Sequence, residues 1–329
     1  MTTYDPPWWC PSVDASALAA VVSELRASGV DVGANKPIGG WTTLGVGGTA
    51  RAFVEIADDF ALTALMRALG RTDESAVPLL VIGRGSNMLI ADAGWPGLAV
   101  RLGTAFKSFA RNGLRVTAGA AASMPALAAW TATQGLTGLE FAAGIPASVG
   151  GSVRMNAGAH GDDVAHRLLA VEIATPGRDG TTHLPAADLC FGYRHSELPA
   201  RAIVVGAEWQ LRAADAVTIR TRLDELRAWR RSTQPLRQRN CGSVFTNPLG
   251  DSAGRLVEAA GLKGHRRGGA QVSERHANFI VVAPPCPAAD VYALITELRA
   301  AVHAAGGPLL QPEVKLIGDF GVAVRDAIA

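Results

Sequence analysis

The chain has 329 residues, of which 48% are hydrophobic and 18% are charged, and its formal net charge at pH 7 is +2. This balance is typical of a globular protein, and it excludes a disordered chain and a strongly basic nucleic-acid binder. No apolar run is long enough to span a membrane, and the N-terminus lacks both the basic and the apolar part of a signal peptide. We therefore expect a soluble protein that binds neither nucleic acid nor membrane.

The cysteines give no sign of a metal site or of a disulfide framework. Cys10, Cys190, Cys241 and Cys286 lie far apart and form neither a C-x-x-C pair nor a Cys/His metal spacing. Reduced thiols in a cytoplasmic protein without a bound metal are therefore expected.

Helices and strands are mixed along the whole chain. After a loosely held segment at 5–11, the patterns predict a helix at 15–28, a strand at 50–57, a helix at 58–70, a buried strand at 77–83, a loop at 88–97, a hairpin at 106–119 and a helix at 124–135. A hairpin at 168–185, a strand at 201–213, helices at 216–235 and 252–261, a strand at 276–283, a helix at 287–307 and a strand at 309–318 follow. The order predicts an α+β protein with a larger unit before a smaller one.

The segment VIGRGSN, residues 81–87, places Gly83 and Gly85 directly after the predicted buried strand. It lacks the third glycine of a Rossmann fingerprint and the Gly-Lys-Ser/Thr of a P-loop. Successive backbone N–H groups there, helped by Ser86 and Asn87, can hold a diphosphate. A tight turn between a strand and a loop is the plainer alternative.

A second glycine-rich segment, GIPASVGGSVRMNAGAHG at residues 144–161, shows no helical spacing. Its length and apolar content argue against an ordinary surface loop, because such loops are short. We interpret the segment as an extended wall for a large flat ligand, since a residue without a Cβ lets a ligand lie against the backbone.

Both segments belong to a longer series of motifs: TTLGVGGTARAFVEI, VIGRGSNMLIADAGWPGLAVRL, GLEFAAGIPASVGGSVRMNAGAHG, FGYRHSEL, RRSTQPLRQRNCGSVFTNPLGDSAGRLVEAAGLKG, GGAQVSERHANFIV and QPEVKLIG. Over residues 36–317 this series resembles the UDP-N-acetylenolpyruvoylglucosamine reductases (UDP-N-acetylmuramate dehydrogenases) of bacterial peptidoglycan synthesis. The short stretch between Arg194 and Ser243 indicates the subclass that lacks a long substrate-covering loop.

The resemblance implies an FAD-binding domain of the vanillyl-alcohol-oxidase (PCMH-like) type, followed by a smaller α+β substrate-binding domain. Residues 1–35 would form an N-terminal extension with one helix, residues 36–212 an FAD-binding domain with two subdomains that divide near residue 100, and residues 213–329 the substrate-binding domain. FAD would be bound without a covalent link, NADPH would reduce it, and the enzyme would be a monomer. The implied FAD contacts are Gly83, Arg84, Gly85, Ser86, Asn87, Met88, Gly144, Ile145, Gly150, Gly151, Ser152, Asn156 and Gly158.

The family's reaction moves a hydride from NADPH to the flavin and then to the β-carbon of the enolpyruvyl ether of UDP-N-acetylglucosamine. Negative charge then develops on the α-carbon and its carboxylate, which calls for a positive group and a proton donor. Arg194 in FGYRHS matches the family's active-site arginine, and Ser243 in CGSVFTNP matches its proton donor. Cys241 is a rival to Ser243, because residues two apart share a face of an extended chain.

Glu313 in QPEVKLIG matches the family's active-site glutamate. A carboxylate would repel a developing enolate, so Glu313 is useful there if it is protonated or if it orients a donor. The resemblance also implies substrate contacts at Tyr193, Arg231, Asn247, Gln271 and Lys315. The basic segment 227–240 either faces the diphosphate of UDP or the 2′-phosphate of NADPH, or is a solvated helix end.

Two other functions compete with the reductase. Another flavoenzyme of the same fold should lack the GSVF-x-NP and PEV segments, and both are present. A catalytically silent nucleotide-sugar binder should have lost Arg194, Ser243 or Glu313, and the sequence has all of them.

Overall fold

The structure, a computed structural model, describes residues 8–9 and 11–321. The helices are α1 (Ala15–Ala27), α2 (Asp59–Gly70), α3 (Met124–Thr133), α4 (Val149–Arg154), α5 (Ala216–Thr233), α6 (Ala253–Ala259) and α7 (Ala288–Ala304). The strands are β1 (Trp8–Trp9), β2 (Gly33–Pro37), β3 (Thr49–Ile56), β4 (Leu79–Val81), β5 (Met88–Ile90), β6 (Trp95–Leu102), β7 (Phe109–Asn112), β8 (Arg115–Gly119), β9 (Leu136–Thr137), β10 (Gly158–Ala159), β11 (Asp162–Asp163), β12 (Leu168–Ala174), β13 (Thr182–Pro185), β14 (Ile203–Gln210), β15 (Arg212–Ala213), β16 (Arg239–Asn240), β17 (Arg266–Arg267), β18 (Ala270–Val272), β19 (Ile280–Val282) and β20 (Lys315–Ile317). All the predicted helices and both predicted hairpins are confirmed within a few residues.

Local side-chain chemistry explains where the early helices begin. The Asp58 carboxylate accepts a hydrogen bond from the Ala61 amide at 2.9 Å and caps α2. Asp14 caps α1 by accepting from the Ser16 amide at 2.8 Å. The apolar faces of both helices are buried in one core, to which Leu25 and Leu65 contribute.

Two sheets build the larger unit. One has the order β2-β3-β6-β4, in which β3, β6 and β4 run parallel and β2 is antiparallel to β3. The other is an antiparallel sheet with the order β13-β12-β14-β8-β7. Helices α2 and α3 pack into the same core as these sheets, and that core contains the fully buried Trp209.

The C-terminal unit has its own core. The antiparallel sheet β16-β19-β18-β17 packs with α7, and the side chains of Phe245 and Ile295 are buried there. The chain then returns to the larger unit through β20, which lies between β1 and β5 with all three strands parallel. This return positions the C-terminal QPEVKLIG motif beside the 83–87 loop.

Two predictions about loops are wrong. Residues 88–97 contain β5 and the start of β6, because β5 finds its partner in β20, more than two hundred residues later in the chain. The glycine-rich segment 144–161 contains α4. Ser148 caps this short helix, and Val149 and Val153, four residues apart, are fully buried on one face.

Two helices pack across the predicted domain boundaries, into the core of the larger unit. Helix α1 shares the core of the larger unit, and Ile219 and Leu223 of α5, which opens the predicted third domain, are buried in that core as well. The domain division remains a prediction. Of the segment predicted to be loosely held, Trp8 and Trp9 pair with β20, while residues 5–7 and 10 lie outside the described residues.

Candidate active site

A cavity of about 1530 Å³ lies between the two glycine-rich segments and the C-terminal unit. It exceeds the ~300–1,000 Å³ of an ordinary small-molecule pocket, so it has room for a dinucleotide together with a second ligand. Arg194, Ser243 and Glu313 all line it. The structure therefore brings together the three residues predicted to be catalytic, although they come from distant segments of the chain.

Arg194 and Glu313 form an ion pair in the cavity wall. Arg194 Nε donates to Glu313 Oε1 at 2.7 Å, and the two side chains are only 24% and 13% exposed. Arg194 lies in a tight turn in which Gly192 and His195 exchange backbone hydrogen bonds of 3.1 and 3.2 Å. Its guanidinium also lies over the Tyr193 ring, 4.9 Å from the ring centroid. The arginine is held in place from two sides.

The backbone of Glu313 connects the residues predicted to be catalytic to the 83–87 loop. Its amide donates to the Val244 carbonyl at 2.8 Å, next to Ser243, and its carbonyl accepts from Asn87 Nδ2 at 3.1 Å. Burial raises the pKa of the Glu313 carboxyl, and the neighbouring Arg194 opposes that rise without cancelling it. The protonated form of Glu313 is therefore favoured more than it would be in water.

Ser243 and its rival Cys241 both line the cavity. The chain between them is not extended, because Gly242 has a φ of +77°, so the two residues do not share a strand face as the sequence suggested. Cys241 is 2% exposed and packs in the apolar core of the C-terminal unit, where burial raises the pKa of its thiol to about 12. The contacts of Cys241 are those of an apolar core residue.

Asn278, for which the sequence predicts no role, positions the segment that follows Ser243. Its side-chain amide accepts from the Phe245 amide at 2.9 Å and donates to the Phe245 carbonyl at 2.8 Å. Asn278 is 3% exposed, so these bonds lie away from water. No local sequence pattern around Asn278 indicates this role, because its partner Phe245 lies 33 residues away along the chain.

Most of the predicted FAD contacts line the cavity: Gly83, Arg84, Gly85, Ser86, Asn87, Met88, Gly144, Ile145, Gly151 and Gly158. Gly150, Ser152 and Asn156 do not. Asn156 holds other segments in place instead: it donates to the Gly192 carbonyl at 3.0 Å and so supports the Arg194 turn. The Ser152 hydroxyl is fully buried without a hydrogen-bond partner in the described part of the chain.

Gly83 and Gly85 are packed against protein and not against open space. A Cβ at Gly83 would collide with Ser148 Oγ, and a Cβ at Gly85, whose φ is +60°, would lie 2.6 Å from the Trp41 carbonyl oxygen. Arg84 Nε donates to the Pro146 carbonyl at 3.1 Å and ties the two glycine-rich segments together. The glycines thus let backbone segments approach closely and form a wall with little side-chain bulk, and this wall fits a flat ligand such as a flavin.

Of the predicted substrate contacts, Lys315 alone lines the cavity among the described residues. The Asn247 and Gln271 side chains bond locally, to the Ala253 amide and the Gly264 carbonyl. The Tyr193 side chain packs on Arg194 and is 62% exposed. These residues are therefore not part of the cavity wall.

Arg230, rather than the predicted Arg231, faces the cavity. Helix α5 buries Ile219, Leu223 and Leu226, and position 230 continues that face at the next helical step, whereas position 231 is rotated away from it and exposed. The spacing of the buried residues in α5 indicates Arg230, whereas the prediction of Arg231 did not take this spacing into account.

Histidines form further parts of the cavity wall that the sequence analysis left unassigned. The His160 ring meets the Trp229 ring edge-on, with centroids 4.8 Å apart, and burial, followed by the charges of Arg222 and Arg230, lowers the pKa of His160. Burial likewise lowers the pKa of His276, which also lines the cavity. Both imidazoles are accordingly neutral at pH 7.

Over residues 8–9 and 11–321, no group of three or more His, Cys, Asp or Glu side chains is arranged to hold a metal ion. Within the same described residues, no helix combines the length and the apolar character needed to cross a membrane.

Comparisons with known proteins agree with this geometry. Residues 51–184 match the FAD binding domain, and residues 234–317 match the C-terminal domain of UDP-N-acetylenolpyruvoylglucosamine reductase. The curated reductase of this name from Heliobacterium modesticaldum is 45% identical over 289 residues, which cover 87% of this chain and 90% of that protein. The one from Myxococcus xanthus is 43% identical over 309 residues, which cover 93% and 97%.

The crystal structure of the UDP-N-acetylenolpyruvylglucosamine reductase from Thermus caldophilus is similar with a TM-score of 0.75 and 34% sequence identity. The match covers 88% of this chain and 98% of that one. The chain belongs to the UDP-N-acetylenolpyruvoylglucosamine reductase family and is an oxidoreductase built on an FAD-binding domain.

Proposed function

We propose that the protein uses NADPH and non-covalently bound FAD to convert UDP-N-acetylglucosamine enolpyruvate to UDP-N-acetylmuramate. The observation that carries the proposal is the Arg194–Glu313 ion pair, which lies beside the Ser243 segment in the wall of the same cavity as the glycine-rich segments. The reductase names of the relatives support the same reaction.

FAD supplies a carrier that takes a hydride from NADPH and gives it to the β-carbon of the enolpyruvyl group. The rest of the chemistry falls to the side chains. Arg194 binds the substrate carboxylate, and its charge stabilises the negative charge that grows there as the hydride arrives. The turn at Gly192–His195 and the Tyr193 ring hold the guanidinium in position, so little reorganisation is needed.

Ser243 donates the proton to the α-carbon. A serine hydroxyl is a weak acid, but a carbanion next to a carboxylate is a strong base, so the transfer runs downhill. Burial raises the pKa of Glu313 and so favours its neutral form; in that form, which we propose for the reaction, the carboxyl does not repel the developing charge. When the substrate carboxylate replaces it on Arg194, Glu313 becomes available to orient the substrate or the Ser243 hydroxyl.

Non-covalent binding of FAD rests on the residue types in the two glycine-rich segments. A covalent link to a flavin needs a His or Cys near the ring, and these segments offer only His160. We also propose that the enzyme acts as a monomer in the cytoplasm, which is what the family resemblance implies.

The test starts with the purified protein. It should be yellow, NADPH should bleach the flavin band without oxygen, and the enolpyruvyl substrate should restore it with formation of UDP-N-acetylmuramate. Acid precipitation should release all the flavin into the supernatant. Flavin retained in the pellet would contradict non-covalent binding, and a bleached band that the substrate does not restore would contradict the proposed substrate.

A further inference from the structure

The N-terminal segment contacts the cavity although it lies outside both regions that match family domains, 51–184 and 234–317. Strand β1 pairs with β20 in parallel, with Trp8 opposite Leu316 and Trp9 opposite Ile317. Leu316 and Ile317 themselves line the cavity. One end of the segment is therefore attached to the strand that continues the Glu313 motif.

The other end of the segment is attached to a different wall. Pro11 and Ser12 line the cavity, and the Asp14 amide donates to the Ala76 carbonyl at 2.9 Å. Ala76 belongs to the loop 71–78 between α2 and β4, and Glu74, Ser75 and Pro78 of this loop line the cavity too. The segment thus connects β20 with the 71–78 loop along the cavity wall.

The order of the elements along the chain indicates which end of the cavity the 71–78 loop lines. From the 71–78 loop the chain runs through the three residues of β4 to the 83–87 loop, where Asn87 donates to the Glu313 carbonyl at 3.1 Å. Arg201, which also lines the cavity, holds the 71–78 loop in place, because its guanidinium donates to the Thr72 and Asp73 carbonyls at 3.3 and 2.9 Å. Along the chain, β4 and the 83–87 loop therefore separate the 71–78 loop from the contact with Glu313.

We infer that residues 8–9 and 11–14 are part of the cofactor site and close the cavity around the adenosine half of the dinucleotide. The inference rests on the proposed function: if the reacting ring lies at Arg194, Ser243 and Glu313, and the diphosphate at residues 83–87, the adenosine takes the remaining end. The β1–β20 pairing and the Asp14–Ala76 bond hold Pro11 and Ser12 against that end.

A comparison of FAD with FMN separates a role at the adenosine end from a general effect on stability. FAD and FMN share the reactive ring, but FMN lacks the adenosine half. Loss of a wall at the adenosine end should weaken FAD binding and leave FMN binding nearly unchanged. Exposing about 55 Å² of apolar ligand surface corresponds to about a tenfold loss of affinity.

The experiment compares two truncations of the full chain. Deletion of residues 2–10 removes β1 but keeps Asp14 and α1, and deletion of residues 2–7 is the matched control that keeps β1. The flavin is removed, and each protein is titrated with FAD and with FMN while flavin fluorescence is followed. We expect FAD to bind about tenfold or more weakly to the 2–10 deletion, FMN to bind within about twofold of the full chain, and the 2–7 deletion to match the full chain.

Equal losses for FAD and FMN, no loss in the 2–10 deletion, or the same loss in the 2–7 deletion would overturn the inference. If the 2–10 deletion does not fold, Trp9→Pro in the full chain replaces it, because proline removes a backbone donor from the edge strand. A full chain that binds FAD no more tightly than FMN would also overturn the adenosine assignment. A full chain that prefers FAD strongly but is not reduced by NADPH would instead contradict the proposed function, and the truncations would still decide this inference.

Discussion

The cavity is built from two regions that are held together in different ways. The glycine wall, residues 83–87 and 144–158, is shaped by close packing of the chain: a Cβ at Gly83 would collide with Ser148 Oγ, and a Cβ at Gly85 with the backbone at Trp41 and Thr42. The catalytic corner, Arg194, Ser243 and Glu313, is shaped by side chains from three segments of the chain, the first and last of which are 119 residues apart. The wall is thus set by backbone packing, and the corner by a few tertiary contacts.

This difference predicts two kinds of defect. A substitution in the glycine wall should disturb the shape of the cofactor site and reduce flavin binding. A substitution in the catalytic corner should leave the flavin bound and slow a single chemical step. The predictions below test this separation, and a variant that shows the wrong kind of defect would break it.

Ser243→Ala should give the largest effect. If Ser243 donates the proton, NADPH should reduce the bound flavin at close to the normal rate, and reoxidation by the enolpyruvyl substrate should fall by about 10²–10⁴. Stopped-flow absorbance of the flavin measures the two half-reactions separately. Ser243→Cys should recover part of the loss, because a thiol also donates a proton.

Cys241→Ala is the matched control for Ser243→Ala. Cys241 lies two residues away but is buried in an apolar core, so its loss should cost some stability and little turnover. If Cys241→Ala stalls reoxidation while Ser243→Ala does not, the donor is Cys241.

Arg194→Lys should lower turnover by about 10²–10³, the usual cost of one misplaced donor in a preorganised site. Lysine keeps the positive charge but loses the planar fork that matches a carboxylate and the fit of the guanidinium over the Tyr193 ring. Flavin content and the rate of reduction by NADPH should remain normal. Turnover close to that of the unaltered protein would remove Arg194 from the catalytic corner.

Gly85→Val should reduce flavin content severely, because the new side chain collides with the backbone at Trp41 and Thr42. Gly113→Val is a matched control: Gly113 has nearly the same φ, +61° against +60°, but a Cβ there has no atom within 4 Å. Both variants carry the left-handed strain of about 1–2 kcal/mol, and only Gly85→Val adds overpacking of about 1–3 kcal/mol. Equal flavin content in the two variants would show that the close packing of the wall does not shape the site.

Arg230→Gln should weaken substrate or NADPH binding by about tenfold, the loss expected for one charge-assisted hydrogen bond to an anionic group. Arg231→Gln is its control on the same helix, one position away and exposed, and should leave KM within about twofold. A larger effect at Arg231 would favour the assignment made from the sequence over the one made from the structure.

The sequence predicted the helices, the hairpins and the glycine-rich segments, because their signals are local: capping residues, apolar spacing and an Asn112-Gly113 turn. It missed β5, whose partner lies far along the chain, and α4, whose glycines hide a buried Val149–Val153 pair. In both cases the deciding contact is tertiary.

The candidate site shows the same limit. Family motifs indicate which residues are expected to be catalytic, but no motif shows that Glu313 bonds to Arg194, or that Asn156 supports the Arg194 turn and not the cavity wall. Residue type alone suggested Arg231, and only the buried face of α5 indicates Arg230. Local sequence patterns therefore predict which residues are candidates for the site, but the contact that each residue makes depends on which segments of the chain meet in the fold.

The pH dependence of stability in Glu313→Gln tests the protonation state of Glu313 in the catalytic corner. This change should give the smallest effect, because two opposing causes act on the pKa of Glu313. Burial, the larger cause, raises the pKa of the Glu313 carboxyl, and Arg194 lowers it. The folded protein then holds this proton to a higher pH than the unfolded chain, whose glutamate titrates near about 4.3. The stability that the protonated carboxyl contributes is complete below that value and is lost as the pH rises through the raised pKa. With the same excess of FAD, the unfolding free energy of the unaltered protein, relative to Glu313→Gln, should decrease with rising pH across this window and then level off. Denaturant titrations at a series of pH values measure the difference. A relative stability that increases with pH would mean that the ion pair with Arg194 dominates and that Glu313 is a carboxylate, which would contradict its proposed neutral role beside the enolate.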